Sequence, residues 1–310
     1  MNIIIHNAQN VNISSYENAK HGAEKLQEYI SKYYINNEKQ AQAHNVQECG
    51  TFLQFKCYEN NQSLLHKANF CKNPLCPMCE WRKHLKLSKA VESALNQSKG
   101  YIYHIVLGIP NVQALNKKTI ANLQSSANKF LNDESAIYAK AFTHNLEITY
   151  SAEHGFHPHL HCLVETDYFI KISKAFVKDL SLYWRSIVEP TFEYNFNMVS
   201  YFGGGCNTCE SGYTCYIRGI PKTQLHSASE ELTKYVFKTK QEELNYDSVS
   251  QLMSALYNKR KFTSKGTIKK NIAKAIKNIS NAELEKELNL NNLEWWYQVY
   301  NWIGGHYELQ

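Results

Sequence analysis

Three histidines occupy alternate positions in an apolar segment, Gly155–Val164. In a β-strand, residues i and i+2 project from the same face, so His159 and His161 can present two imidazoles to one ion. The preceding apolar segment carries Glu147, and a hairpin that turns about Glu153 would place this carboxylate directly opposite His159. We therefore predict a metal site formed by these three side chains. It would hold Mn²⁺ or Mg²⁺ as a Lewis acid on a phosphate oxygen.

A glutamate and a tyrosine four residues apart could supply the rest of a phosphodiester cleavage. The pattern predicts a helix over residues 229–240, which would place Glu231 and Tyr235 on one helical face. Lys234 and Lys238 flank the tyrosine with positive charge, which favours a phenolate and a bound phosphate. Tyr235 is thus a candidate nucleophile, with Lys238 in support, and Glu231 could activate water or a hydroxyl.

A cysteine cluster suggests a second metal site, because thiols remain reduced in the cytosol, where we expect this protein to be. The pair Cys76-x2-Cys79 can give two thiolates to one ion from a tight turn, and Cys71 is the obvious third ligand. Three residues are available by spacing as the fourth ligand: Cys49, Cys57 and His66. Cys49 is favoured, because the adjacent glycine permits a close turn. A site with four protein ligands has no open position, so the expected Zn²⁺ is structural.

Three further cysteines follow a run of three glycines: Cys206, Cys209 and Cys215. No fourth ligand is evident near them. Incidental thiols in a loop are therefore favoured over a second zinc site.

Composition and charge narrow the class of protein. A chain of 310 residues with 43% hydrophobic and 13% aromatic residues is expected to fold. It contains neither an apolar stretch of about 18 residues nor a signal-peptide pattern, so we expect no membrane association and no export. The net charge of +6 permits binding to a polyanion.

The positive charge is concentrated between Asp247 and Glu283, where no acidic residue occurs. Either a solvated helix face or a phosphate-binding surface would account for this run. A shorter basic run follows the cysteine cluster. The residues predicted to contact DNA are Arg82, Lys83, Lys234, Lys259, Arg260 and Lys261.

The order of predicted elements favours an α+β fold, a central antiparallel sheet with flanking helices, over a parallel doubly wound sheet. Strands are predicted over 101–109, 142–150, 157–164 and, irregularly, 192–202. Helices are predicted over 84–96, 119–131 and 174–187. The predicted domains are an N-terminal extension (1–47), a zinc-binding module (48–83), a catalytic core (84–245) and a basic helical region (246–310).

These motifs, in this order, resemble those of the replication initiator (Rep) proteins of small rolling-circle plasmids, which belong to the HUH endonuclease superfamily. The resemblance rests on the cysteine block 69–82 with Cys49-Gly50 upstream, on Pro158-His159-Leu160-His161, and on the segment 231–238. It covers roughly residues 48–275. It implies the HUH fold, metal binding by the two histidines and a single catalytic tyrosine, Tyr235. Glu231 would support the closing step.

The resemblance also implies a function and its partners. Tyr235 would nick a single-stranded or cruciform plasmid origin, forming a 5′-phosphotyrosine and a free 3′-hydroxyl for a host polymerase. The sequence contains no Gly-x4-Gly-Lys-Ser/Thr motif, so a host helicase would unwind the DNA. The alternatives are an HUH transposase or mobilisation relaxase, a non-catalytic zinc-dependent DNA-binding regulator, and a cupin-like metalloenzyme acting on a small molecule.

Overall fold

The computed structural model describes residues 11, 13–60, 63–192, 213–234, 236–240, 242–279 and 294–310. The chain divides into two compact units. Unit 1 comprises Met1–Lys83 and Asn278–Gln310, and unit 2 comprises His84–Lys277. Helix α4 (Pro77–Asn96) contributes its first part to unit 1 and the remainder to unit 2.

Unit 1 combines helices with an antiparallel sheet. Its helices are α1 (Ile13–His21), α2 (Glu24–Asn36) and α3 (Gln40–Gln47). Its strands are β1 (Phe52–Tyr58), β2 (Ser63–Ala68), β9 (Trp295–Ile303) and β10 (His306–Leu309). The strands are arranged in the order β10-β9-β1-β2. Leu53, Phe55 and Cys57 alternate along β1 with more exposed residues, so one face of the sheet packs into the core.

The end of the chain differs from the prediction of a helical region over 246–310. Residues 295–309 form two strands, and residues 295–301 of β9 pair with the whole of β1. The sequence of β9 is rich in aromatic and β-branched residues, which favour strands, whereas the lysine-rich pattern that indicated helices ends earlier. The predicted N-terminal extension holds three helices, α1, α2 and α3.

Unit 2 is built on a second, mainly antiparallel sheet. Its strands are β3 (Tyr101–Gly108), β4 (Ala141–Ser151), β5 (Gly155–Thr166), β6 (Thr214–Ile220), β7 (Phe237–Lys238) and β8 (Phe262–Lys265). Their order is β6-β3-β5-β4-β7, with β8 also paired to β4, and only the β4–β7 pairing is parallel. The predicted α+β class with a central antiparallel sheet is confirmed. The predicted strand 192–202 lies outside the described residues except for its first residue.

Helices stabilise this second sheet. They are α5 (Lys117–Asn132), α6 (Lys174–Val188), α7 (Leu225–Thr233), α8 (Tyr246–Leu256) and α9 (Gly266–Asn278). Asn116 caps α5 by accepting a hydrogen bond from the backbone N–H of Thr119, and Ile120, Leu123 and Ala127 repeat at helical spacing and are buried. Among the described helices, none is long and apolar enough to cross a bilayer.

One buried histidine in this sheet should make stability depend on pH. The side chain of His144 on β4 is fully buried, and neither ring nitrogen has a hydrogen-bond partner among the described residues. Burial lowers the pKa of His144 to about 4. Between pH 7 and pH 5, His144 therefore becomes protonated in the unfolded chain but stays neutral in the folded chain. The free energy of unfolding decreases as the pH falls.

We expect His144→Leu to remove this contribution, which amounts to about 2 kcal/mol between pH 7 and pH 5. Other buried histidines act in the same direction, so the loss of stability on acidification should become smaller and not vanish. Urea unfolding of wild type and variant at both pH values measures the difference. An identical loss in the two proteins would contradict the assignment.

Candidate functional site

The predicted metal ligands meet on one face of the hairpin formed by β4 and β5. Strand β4 ends at Ser151 and β5 begins at Gly155, so the register places Glu147 directly opposite His159, as the sequence predicted. The carboxylate oxygens of Glu147 lie 3.3 Å from His159 Nε2 and 3.7 Å from His161 Nε2. One ligand atom from each of the three residues lies within 4.8 Å of the others.

The electrostatics of this cluster suit a divalent cation. Burial raises the pKa of Glu147, but the hydrogen bond and charge of His159, together with Lys238, outweigh burial and lower the pKa to about 2. Burial, followed by the charge of His159, lowers the pKa of His161 to about 4. The carboxyl group is therefore ionised and the His161 imidazole is neutral at physiological pH, as metal ligands must be. Three protein ligands leave further coordination positions open to a substrate.

Lys238, the predicted support for the nucleophile, contacts one of the predicted metal ligands, Glu147, directly. Strand β7 pairs with the end of β4, and Lys238 lies opposite Thr149 in the register. Its Nζ donates a hydrogen bond of 2.6 Å to Glu147 Oε2. The side chain remains 38% exposed, so it can also meet an incoming phosphate.

A fourth histidine, His104, was missed by the sequence analysis. His104 Nε2 lies 3.1 Å from His161 Nδ1, and the two rings stack at an angle of 13°. Burial, followed by the charge of His161, lowers the pKa of His104 to about 3, so its ring is neutral and can accept a hydrogen bond. If His161 binds an ion through Nε2, its remaining proton sits on Nδ1 and donates to His104.

We therefore expect His104→Ala to weaken metal binding by about 10- to 100-fold, because the orientation and tautomer of His161 are no longer held. Isothermal titration of Mn²⁺ into the two proteins measures this change. His144→Leu is the matched control, because His144 projects from the other side of the same sheet and should leave Mn²⁺ affinity unchanged. An unaltered affinity in His104→Ala would show that His161 needs no such partner.

The predicted helix over 229–240 is wrong in its extent. Helix α7 ends at Thr233, Lys234 has extended backbone, and β7 begins at Phe237. Pairing with β4 overrides the helical pattern, because the N–H of Ile148 donates to the carbonyl of Val236 at 2.7 Å. Asn145 Nδ2 also donates to the carbonyl of Lys234 at 3.3 Å. The predicted nucleophile, Tyr235, lies outside the described residues.

Glu231 lies in the last turn of α7 and forms an ion pair with Lys234. Burial raises the pKa of Glu231, but the hydrogen bond and charge of Lys234 outweigh burial, and the net pKa is lowered. Glu231 is therefore ionised at neutral pH and can accept a proton.

The cysteine cluster gathers the four residues favoured by the sequence. The sulfur atoms of Cys49, Cys71, Cys76 and Cys79 all lie within 4.8 Å of one another. Sγ of Cys49 lies 3.6 Å from those of Cys76 and Cys79, close to the roughly 3.8 Å expected around a tetrahedral Zn²⁺ with bonds of about 2.3 Å. Gln27 Nε2 donates to Cys76 Sγ, and the N–H of Cys71 donates to Cys49 Sγ, as suits thiolate ligands.

The other candidates for the fourth zinc ligand lie elsewhere. Cys57 donates a hydrogen bond from Sγ to Gln298 Oε1, and burial raises its pKa to about 11. His66 contacts Tyr297 instead. Gly50 has a positive φ of 77°, and a Cβ there would lie 3.0 Å from a Met78 carbon, so the turn after Cys49 favours glycine. Cys215 is buried in β6, and the other two cysteines of the glycine-rich segment lie outside the described residues.

The residues predicted to contact DNA differ in accessibility. Arg82 donates to the Tyr16 hydroxyl, and Lys83 lies 3.8 Å from Glu80. Lys259 is partly exposed and Arg260 is exposed. The prediction that Lys261 contacts DNA is not supported, because its side chain is buried. Its backbone carbonyl accepts a hydrogen bond from the N–H of Leu146.

Comparisons with known proteins place the chain in context. The model of the family described as "Replication protein" matches residues 62–302. "Protein rep" of Streptococcus pneumoniae serotype 2 (strain D39 / NCTC 7466) is 29% identical over 264 residues, which cover 80% of this chain and 72% of that protein. "Protein rep" of Staphylococcus aureus is 28% identical over 180 residues, 56% of this chain and 74% of that protein. No solved structure matches.

Proposed function

Because the chain belongs to the family of plasmid replication initiator (Rep) proteins, we propose that it nicks and rejoins one strand of its plasmid origin in the HUH manner. The observation that carries the proposal is the convergence of Glu147, His159 and His161 beside Lys238. Two imidazoles and a carboxylate on a rigid sheet, next to an exposed ammonium, form a site for a phosphodiester. A bound Mn²⁺ or Mg²⁺ would polarise the phosphate oxygen.

We assign the role of nucleophile to Tyr235, whose two neighbours in the chain are hydrogen-bonded to the central sheet. Lys234 and Val236 each accept a hydrogen bond from β4, the strand that carries Glu147. In the proposed step the tyrosine hydroxyl loses its proton to solvent and its oxygen forms a bond to phosphorus. The bond from phosphorus to the 3′-oxygen breaks, and that oxygen takes a proton from solvent. The 5′-phosphate stays attached to the protein, and the free 3′-hydroxyl primes a polymerase. Lys238 would stabilise the charge on the phosphate.

The closing step runs in the opposite direction and needs a base. A 3′-hydroxyl attacks the phosphotyrosine, and the tyrosine oxygen leaves. Glu231, ionised at neutral pH, would take the proton from the attacking hydroxyl. We further propose that a structural Zn²⁺ is held by Cys49, Cys71, Cys76 and Cys79. The DNA partner would be a single-stranded or cruciform origin, with helicase and polymerase supplied by the host in the cytoplasm.

The test is incubation of the protein with a supercoiled plasmid that carries its own origin. We expect relaxed product and protein covalently attached to DNA, and Tyr235→Phe should abolish both while DNA binding survives. Glu231→Ala should still form the first nick and the adduct but accumulate them, because release fails. Adduct formation by Tyr235→Phe would identify another nucleophile. Loss of the first nick in Glu231→Ala would assign the glutamate to the opening step.

A further inference from the structure

The outer face of the four-stranded sheet in unit 1 carries a row of exposed aromatic rings. Trp295 and Tyr297 are two residues apart on β9 and project from the same face, where they are 50% and 43% exposed. Their ring centroids lie 5.2 Å apart. His66 on β2 continues the row, 4.9 Å from Tyr297 at an interplanar angle of 36°. The inward residues of β9 beyond them, Gln298 and Tyr300, are buried.

Positive charge is interleaved with these rings. Lys56 on β1 lies opposite Tyr297 in the register, and its Nζ lies 4.5 Å from the ring centroid of Trp295. Lys67 on β2 is exposed and pairs with Gln54, which shares the face of Lys56. We call the set His66, Tyr297 and Trp295, with Lys56 and Lys67, the aromatic platform.

The chemistry of this face fits one class of ligand. Exposed rings on the face of a sheet offer stacking surfaces to unpaired bases, and neighbouring lysines offer charge to the phosphates. Duplex DNA hides its base faces within its own stack, so a duplex could meet the lysines but could not use the rings.

We propose that the aromatic platform is a binding site for single-stranded DNA, separate from the site formed by Glu147, His159 and His161. The choice of DNA as the occupant rests on the proposed function. The site itself rests on the exposed rings and the charge between them. It would hold unpaired DNA independently of sequence, because every base has a face on which to stack.

The test measures binding of a fluorescein-labelled oligothymidylate to the full-length protein by fluorescence anisotropy, without added divalent metal. Trp295→Ala and Tyr297→Ala should each weaken binding by roughly 5- to 150-fold, as expected for the loss of one stacked base. Tyr297→Phe and Trp295→Phe keep a ring and should retain most of the affinity. Lys56→Gln should lower the slope of log affinity against log salt by about 0.7.

A matched control is available in unit 2. Tyr101 and Phe169 form an exposed pair with centroids 5.6 Å apart at 68°, close to the 66° of Trp295 and Tyr297. Tyr101→Ala and Phe169→Ala should leave oligothymidylate binding unchanged. The proposal would be overturned if the control variants lost as much affinity as the platform variants, or if the platform variants bound unchanged. It would also be overturned if the phenylalanine variants bound as weakly as the alanine variants. Alanine variants that alter only self-association in sedimentation would overturn it too, and would make a second copy the occupant.

Failure of the platform and failure of the nicking function have different signatures. Oligothymidylate lacks the origin, so its binding does not depend on cleavage. If the wild type binds oligothymidylate through the rings but does not nick its plasmid, the proposed function is contradicted and the proposed platform is supported. If the wild type nicks its plasmid but the ring substitutions do not change its affinity for oligothymidylate, only the proposed platform is contradicted.

Discussion

Replacing His159 or His161 by alanine is expected to slow cleavage of the origin strand by at least about a thousandfold. Each substitution would remove one of the three proposed metal ligands, and Lewis-acid stabilisation of a transferring phosphate is worth several kcal/mol, with about 1.4 kcal/mol for each factor of ten. The two side chains form one wall of an open site, so unit 2 should stay folded. Single-turnover cleavage of an origin oligonucleotide measures the rate, and urea unfolding checks the fold.

The neighbouring histidine provides the control for this prediction. His157 lies two residues before His159 with its ring centroid 5.1 Å away, but its contribution to His159 is a backbone carbonyl that accepts from Nδ1. His157→Ala keeps that carbonyl and should change the rate by less than about tenfold. Cleavage at the wild-type rate in His159→Ala would contradict the metal site. A thousandfold loss in His157→Ala would move a ligand to His157.

Chelation of zinc, or Cys76→Ser, is expected to unfold unit 1. The free energy of binding of a structural Zn²⁺ is about 10–16 kcal/mol, as large as the whole stability of an ordinary domain, about 5–15 kcal/mol. Cys76 Sγ is buried beside the other three sulfurs. If Cys76→Ser prevents zinc binding, the remaining three thiols stay close together with no cation to hold them. Thermal unfolding by circular dichroism, with and without a chelator, and elemental analysis of the purified protein make the measurement.

Cys57→Ser is the control for the cysteine cluster. Its hydroxyl can replace the thiol as donor to Gln298 Oε1, and Cys57 is not among the four clustered sulfurs. Stability should change by no more than about 1–2 kcal/mol. Protein that contains no zinc when purified under reducing conditions, or that melts at the same temperature with a chelator, would contradict the proposed site.

The parts of the site that the sequence predicted depend on local geometry. A short hairpin fixes its own register, so the pairing of Glu147 with His159 follows from the distance between the two segments along the chain. The turn after Cys49 was similarly indicated by the adjacent glycine. In both cases residues close in sequence determine the geometry, and the period of the strand determines which side chains share a face.

The missed parts depend on contacts between distant segments. His104 reaches His161 because β3 pairs with β5, and no pattern within β3 indicates that partner. Phe237 and Lys238 form a strand because β4 offers hydrogen bonds to this part of the chain, although the sequence around them has helical spacing. Strand β9 likewise pairs with β1, from which most of the sequence separates it.

The pairing of β9 with β1 has a consequence for the order of events during translation. A ribosome adding about 5–20 residues per second completes β1 on the order of ten to fifty seconds before β9. By the end of that interval all four clustered cysteines and the whole of unit 2 have been synthesised, while the sheet of unit 1 still lacks an inner strand. The nascent chain thus carries its proposed cleavage site before it carries the aromatic platform. A protein released before β9 is made would expose the edge of β1 to pairing with other chains.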